Sequence, residues 1–206
     1  MSGRARRRRP RWYQTGLGKA LGGLAVLGVL AAILILVLNG TVNKAYNELT
    51  LPLQHEDIIR QQAKEKGVDA ALIAAVIDTE SKFTDAESSA GARGLMQITP
   101  EAARDIARHS GATTFHTSDL SDPEINIKYG TYLLAERIAF YEGNVVAALA
   151  SYNAGPGPVE KWGGSDLKIG DIEYPETRAY VELVLERQKE YRDRYGSELG
   201  YVHGKG

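Results

Sequence analysis

The stretch Asp69–Pro100, DAALIAAVIDTESKFTDAESSAGARGLMQITP, decides how this chain folds. It opens on an Asp suited to cap a helix and continues with Leu72, Ile73, Val76 and Ile77 at helical spacing. It then passes into a loop rich in Gly and Ser. The spacing predicts a helix over about Ala70–Lys82. Glu80 lies four residues after Val76 and seven after Ile73, which puts it on the same apolar stripe. An ionised carboxylate is expensive there. Desolvation raises its pKa, and the negative end of the helix dipole pushes the same way. An acid that keeps its proton near neutral pH can hand it to a leaving oxygen. The pattern also fits a Glu at a frayed helix end reaching back to water, and both readings stay open at this point.

The rest of the 206 residues suits one globular domain with additions. There is no cysteine, so disulfides and thiolate chemistry are excluded. His55, His109, His116 and His203 match no metal-ligand spacing, and neither a metal nor a cofactor is expected. The formal net charge of −1 hides an asymmetry: residues 1–19 hold seven Lys or Arg and no acid, leaving 18 bases against 26 acids beyond them. Nucleic-acid binding by that acidic remainder is not expected, because phosphate contacts need a positive footprint.

The basic segment runs into ALGGLAVLGVLAAILILVL, residues 20–38, which carries no charge. As a helix it would reach roughly 28 Å, about the hydrocarbon thickness of a bilayer. A cleaved secretory signal has a shorter apolar core and a small-x-small site close behind, and Asn39–Lys44 offers none. The expectation is one transmembrane signal anchor over 20–38. Its basic side, residues 1–19, stays in the cytoplasm, and everything after Leu38 lies outside the cell membrane. Residues 39–54 read as a stalk and 196–206 as a flexible tail.

Between them the sequence predicts an all-α domain over 55–195. Helices are expected over about Glu56–Lys66, stopped by Gly67, and from Thr99-Pro100 to about His109. Others run from Asp122-Pro123 to about Gly143, over Val145–Tyr152, and over about Glu176–Tyr195. Pro158 opens one further turn with Trp162. No alternating strand of useful length occurs. Three segments join turn glycines to polar or aromatic groups: the loop after Glu80, the Tyr152-Asn153 turn, and Tyr174–Tyr180. Converging, they would make a groove with one buried acid, amide and hydroxyl donors and tyrosine faces, which suits sugars. Ordinary glycosidases flank the bond with two carboxylates. Here Asp78 points away from Glu80 on a helix, and nothing marks Asp85 or Glu87 in the loop.

Five motifs occur in a recognisable order: Glu80-Ser81-x-Phe83, the Gly91–Pro100 run, Asn126-Ile127-x-x-Gly130-x-x-Leu133 with Tyr132, Ala148–Gly157, and Glu176-Thr177-x-x-Tyr180-Val181. Together they resemble the soluble-lytic-transglycosylase-like family of peptidoglycan-cleaving enzymes, related in fold to goose-type lysozyme. The resemblance implies a lysozyme-like helical domain acting on peptidoglycan glycan strands. It implies that Glu80 is the single catalytic acid, then base, in cleavage of the β-1,4 bond between N-acetylmuramic acid and N-acetylglucosamine, leaving a 1,6-anhydro end. It further implies that Ser88, Met96 and Gln97 line the saccharide site, with Tyr152, Asn153 and Tyr180 around the acid. Ser81 is expected to support the helix end. Ser151 replaces the family's more usual Ala, and the loop between Phe83 and Ser88 lacks the common Asn-Pro pair.

Overall fold

The computed structural model describes residues 29–30, 34–35, 37, 50–110 and 115–201. The chain divides into two units, Met1–Thr50 and Leu51–Gly206. In the first, Val29, Leu30, Leu34, Ile35 and Val37 are helical and exposed. Most of the expected anchor over 20–38, all of residues 1–19 and most of the stalk lie outside the described residues. Among the described residues no helix is long and apolar enough to cross a membrane.

The second unit is helical, as its sequence predicts. Its helices are α1 (Glu56–Lys66), α2 (Ala70–Ser81), α3 (Pro100–Ser110), α4 (Pro123–Phe140), α5 (Val145–Ala154), α6 (Pro156–Trp162) and α7 (Pro175–Tyr195). Short 3-10 turns occupy Thr117–Ser121, Gly164–Asp166 and Ile169–Asp171. The caps fall where the residue types place them. Asp69 accepts from the Leu72 amide at 2.9 Å, Asp122 from those of Glu124 and Ile125, and Asn144 from that of Ala147. Extended pairing among the described residues is limited to isolated bridges, Glu87 with Arg93 and Arg93 with Ile98.

α2 is the axis of this unit. Every residue from Ala70 to Asp78 is buried, so the helix is enclosed on all sides rather than along the single stripe its spacing predicts. Its alanines let neighbours approach closely, and it packs chiefly against α7. Both ends of the unit join this core. Leu51 is fully buried and its carbonyl accepts from the Tyr195 hydroxyl at 2.8 Å, so the packed unit starts four residues before the expected 55. At the other end, the residues expected to be loose pack as far as Tyr201: Leu199 is buried, and the Tyr201 hydroxyl donates to Asp69 at 2.6 Å while accepting from the Ala71 amide at 3.1 Å. The sequence GSELGYVHGKG hides this because its anchoring groups are two isolated side chains among glycines. Residues 202–206 lie outside the described set.

Candidate active site

The buried helix α2 ends at Ser81, and Glu80 stands in its last turn. That end is tied down. The Ser81 hydroxyl donates to the Leu95 carbonyl at 2.7 Å and lies 3.2 Å from that of Ile77, fastening the helix to the following loop. Lys82 and Phe83 both take positive φ, 54° and 58°, a strained pair for side chains of that size. Burial of Phe83 against the Tyr191 ring, 6.2 Å between centroids, holds the turn in place. Asp78, two residues before Glu80, is wholly buried and paired with Lys82 at 2.9 Å and Arg187 at 3.4 Å.

The loop from Ser88 to Ile98 is held by its own polar groups. The Ser88 hydroxyl accepts from the Ala92 amide at 3.0 Å, and the Gln97 side-chain amide donates to the carbonyls of Ala86 and Gly94 at 2.9 and 3.0 Å. Asn126, fully buried on α4, makes three bonds to this loop and its surroundings. Its oxygen accepts from the Met96 amide at 2.8 Å, and its nitrogen donates to the carbonyls of Arg93 and Leu120 at 2.9 and 2.8 Å. Gly94 is required where Asn126 meets the loop: with φ +74°, any Cβ there would lie 2.1 Å from the Asn126 amide nitrogen. Gly130 makes room in the same way, since a Cβ would lie 2.3 Å from the Met96 sulfur.

The loop meets α5 at Met96. The Tyr152 hydroxyl donates to the Met96 carbonyl at 2.8 Å. The Glu80 carboxyl acts electrostatically on the hydroxyls of both Tyr152 and Tyr180, and burial raises both phenols well above the usual range. Glu80 itself is half-buried, and desolvation pushes its pKa up to about 7. The smaller opposing influence is the Tyr180 hydroxyl, which is sealed from solvent and approaches the carboxyl without completing a well-formed hydrogen bond. Neither a second carboxylate nor a cation contributes to the shift. The arrangement is an uncompensated acid between two phenols, able to be protonated and deprotonated near neutral pH.

Asn153 is exposed, and its side-chain oxygen accepts from the buried Thr177 hydroxyl at 2.8 Å. Tyr152, Asn153 and Gln97 also form part of the wall of a pocket of about 480 Å³ between α3, α4 and α5, whose lining does not include Glu80. Met96 is enclosed completely, so it takes part from beneath through its backbone. Ser88 shapes its own turn. Ser81 holds the helix end, as expected, and Ser151 faces inward, 2 % exposed. The sequence reading assigns no role to Thr177 or Asn126. For each the available signal is a polar residue on an otherwise apolar helix face, where burial demands a partner.

Residues 57–174 match the Transglycosylase SLT domain family. Over 160 residues the chain is 31% identical to a soluble lytic murein transglycosylase of Salmonella typhimurium, covering 73% of this chain and 25% of that protein. Over 163 residues it is 35% identical to a membrane-bound lytic murein transglycosylase C of Cronobacter sakazakii, covering 66% and 45%. The fold superposes on an X-ray structure of an inactive mutant of lytic transglycosylase Slt from Pseudomonas aeruginosa with a TM-score of 0.68 and 32% identity, covering 77% and 27%. The chain thus spans about a quarter of the length of its soluble relatives. With matched residues running from α1 to Tyr174 and enclosing Glu80, Tyr152 and Asn153, the chain belongs to the transglycosylase SLT domain family.

Proposed function

We propose that this chain is a lytic transglycosylase that cleaves the β-1,4 bond between N-acetylmuramic acid and N-acetylglucosamine in peptidoglycan, with Glu80 as its one catalytic carboxyl. The observation that carries the reading is a carboxyl lifted to about 7 by burial alone, flanked by two tyrosines and free of any charged partner. The family membership and the names of its relatives supply the substrate class.

Glu80 in its protonated form gives its proton to the glycosidic oxygen as the bond to C1 breaks. The resulting carboxylate then takes the proton of the muramoyl 6-hydroxyl, whose oxygen attacks C1 and closes a 1,6-anhydro ring. The proton count balances without water, and the substrate's own N-acetyl carbonyl steadies the cation. No second protein carboxylate is needed. A pKa near 7 suits both halves, since each asks the same group to move in the opposite direction. Tyr152 and Tyr180 keep the carboxyl dry, while Ser88, Gln97 and Asn153 offer polar groups to the sugars above a floor that includes Met96. Anchoring in the cell membrane through residues 20–38, with this domain outside the cytoplasm, is part of the proposal; it rests on that apolar run and on the membrane-bound relative.

Digestion of purified peptidoglycan with product masses recorded tests the reaction. Muropeptides one water lighter than the hydrolytic products are expected. Reducing ends in their place would make the chain a hydrolase, and no products at all would overturn the reading.

A further inference from the structure

Arg187 stands on α7 seven residues beyond Tyr180, two helical turns along the same side. It lies outside residues 57–174, so the family match assigns it no role. From α7 it reaches the end of α2: its Nε lies 3.4 Å from the Asp78 carboxylate, while a terminal nitrogen donates to Glu190 at 2.6 Å. The Asp78 side chain is wholly buried. Its other cation, Lys82, is 56 % exposed, against 26 % for Arg187, so Arg187 is the more enclosed partner. Among the described residues, neither the Arg187 Nε nor the Asp78 Oδ1 has a hydrogen-bond partner, and the contact between the two helices is held by charge. It braces the turn that carries Glu80. The Asp78 carbonyl accepts the helix-ending bond from the Lys82 amide at 3.1 Å, and Glu80 lies between the two. A buried carboxylate deprived of its cation is costly and has to be hydrated or neutralised. Hydrating Asp78 opens this turn, and with it the surroundings of Glu80. The titratable groups beside Glu80 are Tyr152 from α5 and Tyr180 from α7; those beside Asp78 are Lys82 on its own turn and Arg187 and Tyr191 from α7. Neither the Asp78 carboxylate nor its cations act on Glu80 through their charge, so their influence on it passes through the position of the turn.

We infer that Arg187 is a positioning residue for the cleavage: by compensating Asp78 from α7 it keeps the last turn of α2 closed and holds Glu80 in its desolvated place beside Tyr180. The inference rests on the acid role proposed for Glu80 and adds to it the group that keeps that acid dry. Arg187 acts through Asp78 and does not touch the bond being broken.

The test uses the full chain and its variants, followed as kcat/KM on peptidoglycan against pH and as the titration of the Glu80 carboxyl by carbon NMR. In Arg187→Gln the carboxyl is wetter and sheds its proton earlier, so both readings move down from about 7 by about one pH unit. At pH 7 kcat/KM then falls about fivefold, whereas at about pH 5, where both chains hold the proton, it matches the wild type within about twofold. A role in stability alone would not produce that pH-dependent loss. Arg187→Lys keeps the charge and returns most of the shift. In the double variant Asp78→Asn/Arg187→Gln no buried carboxylate is left to hydrate, and both readings return to wild-type values. The double variant decides the matter if Arg187→Gln does not fold. A Glu80 titration that stays in place in folded Arg187→Gln overturns the inference, and so does one that remains displaced in the double variant. A wild-type chain that releases no products overturns the cleavage reading instead, and the NMR titration still reads the role of Arg187.

Discussion

Replacing Glu80 with Gln removes a titration that the buried end of α2 imposes on folding, and the size of the effect follows from the structure. The carboxyl has its ordinary value of 4.5 in the unfolded chain and about 7 in the folded one. A rise on folding means that stability from this group is full below about pH 4.5. It declines as pH rises and is gone above about 7. The gap corresponds to about 3 kcal/mol at roughly 1.4 kcal/mol per unit. Glutamine keeps the shape and does not titrate. The stability difference between Glu80→Gln and the wild type is therefore expected to move in favour of the variant by about 3 kcal/mol between pH 4 and pH 8. Urea unfolding followed by far-UV circular dichroism reads this directly. With a dependence of about 2 kcal/mol per molar, the midpoints separate by roughly 1.5 M over that range. Other titrating groups are common to both proteins and cancel. The catalytic counterpart is a wild-type kcat/KM that falls about tenfold per pH unit above 7, as the acid loses its proton. A stability difference that stays flat with pH would mean that the fold does not desolvate the carboxyl.

Two supports outside the acid are tested by stability and rate together. Asn126→Ala strands the Met96 amide and the carbonyls of Arg93 and Leu120 in a buried place, and should destabilise by about 3–5 kcal/mol. Calorimetry then shows Tm lower by roughly 10 °C, and a Tm within about 2 °C of the wild type would contradict the role given to this side chain. Thr177→Val keeps the volume and deletes the hydroxyl that orients Asn153. It should lower kcat/KM about tenfold while changing stability by only about 1 kcal/mol, with Thr177→Ser restoring activity; loss of stability without loss of rate would make Thr177 a packing residue only.

The helices of the second unit are legible because their signals are local. Asp69, Thr99, Asp122 and Asn144 stand where caps belong, Pro100 and Pro123 sit at first helical positions, and Gly67 takes the left-handed turn, φ 68°, that ends α1. The position of Glu80 on α2 is legible for the same reason. The enclosure of that helix is not, because alanine-rich sides read as neutral until α7 and its neighbours cover them. Long-range polar partners are invisible for a related reason. Nothing near residue 126 says that its amide will meet residues 93, 96 and 120, and nothing near 201 says that its phenol will meet Asp69. Sequence periodicity reports which way a side chain faces on its own helix, and it is silent on what the chain brings opposite.

Asp78 and Glu80 differ in what each carboxyl meets, and that difference bears on the acid role proposed for Glu80. They stand two residues apart on one helix, and Asp78 is the more deeply buried. Depth alone would therefore single out Asp78 and not the proposed acid. Asp78 faces Lys82 and Arg187, whose charges compensate it and fix it as part of the scaffold. Glu80, on another side of the same turn, has two phenols as neighbours, which bring no charge. The difference in partners, and not in burial, separates a structural ion pair from a group that exchanges its proton near neutrality. It also explains why the supports around α2 are placed at its ends. Asp69 is held by Tyr201, Gln188 and Arg192 at one end, and Ser81, Asp78 and Phe83 are held at the other. A helix free to rotate or slide by a fraction of a turn would exchange the surroundings of its two carboxyls. Fixing both ends keeps the cations on Asp78 and the phenols on Glu80, and so preserves the proton on which the proposed reaction depends.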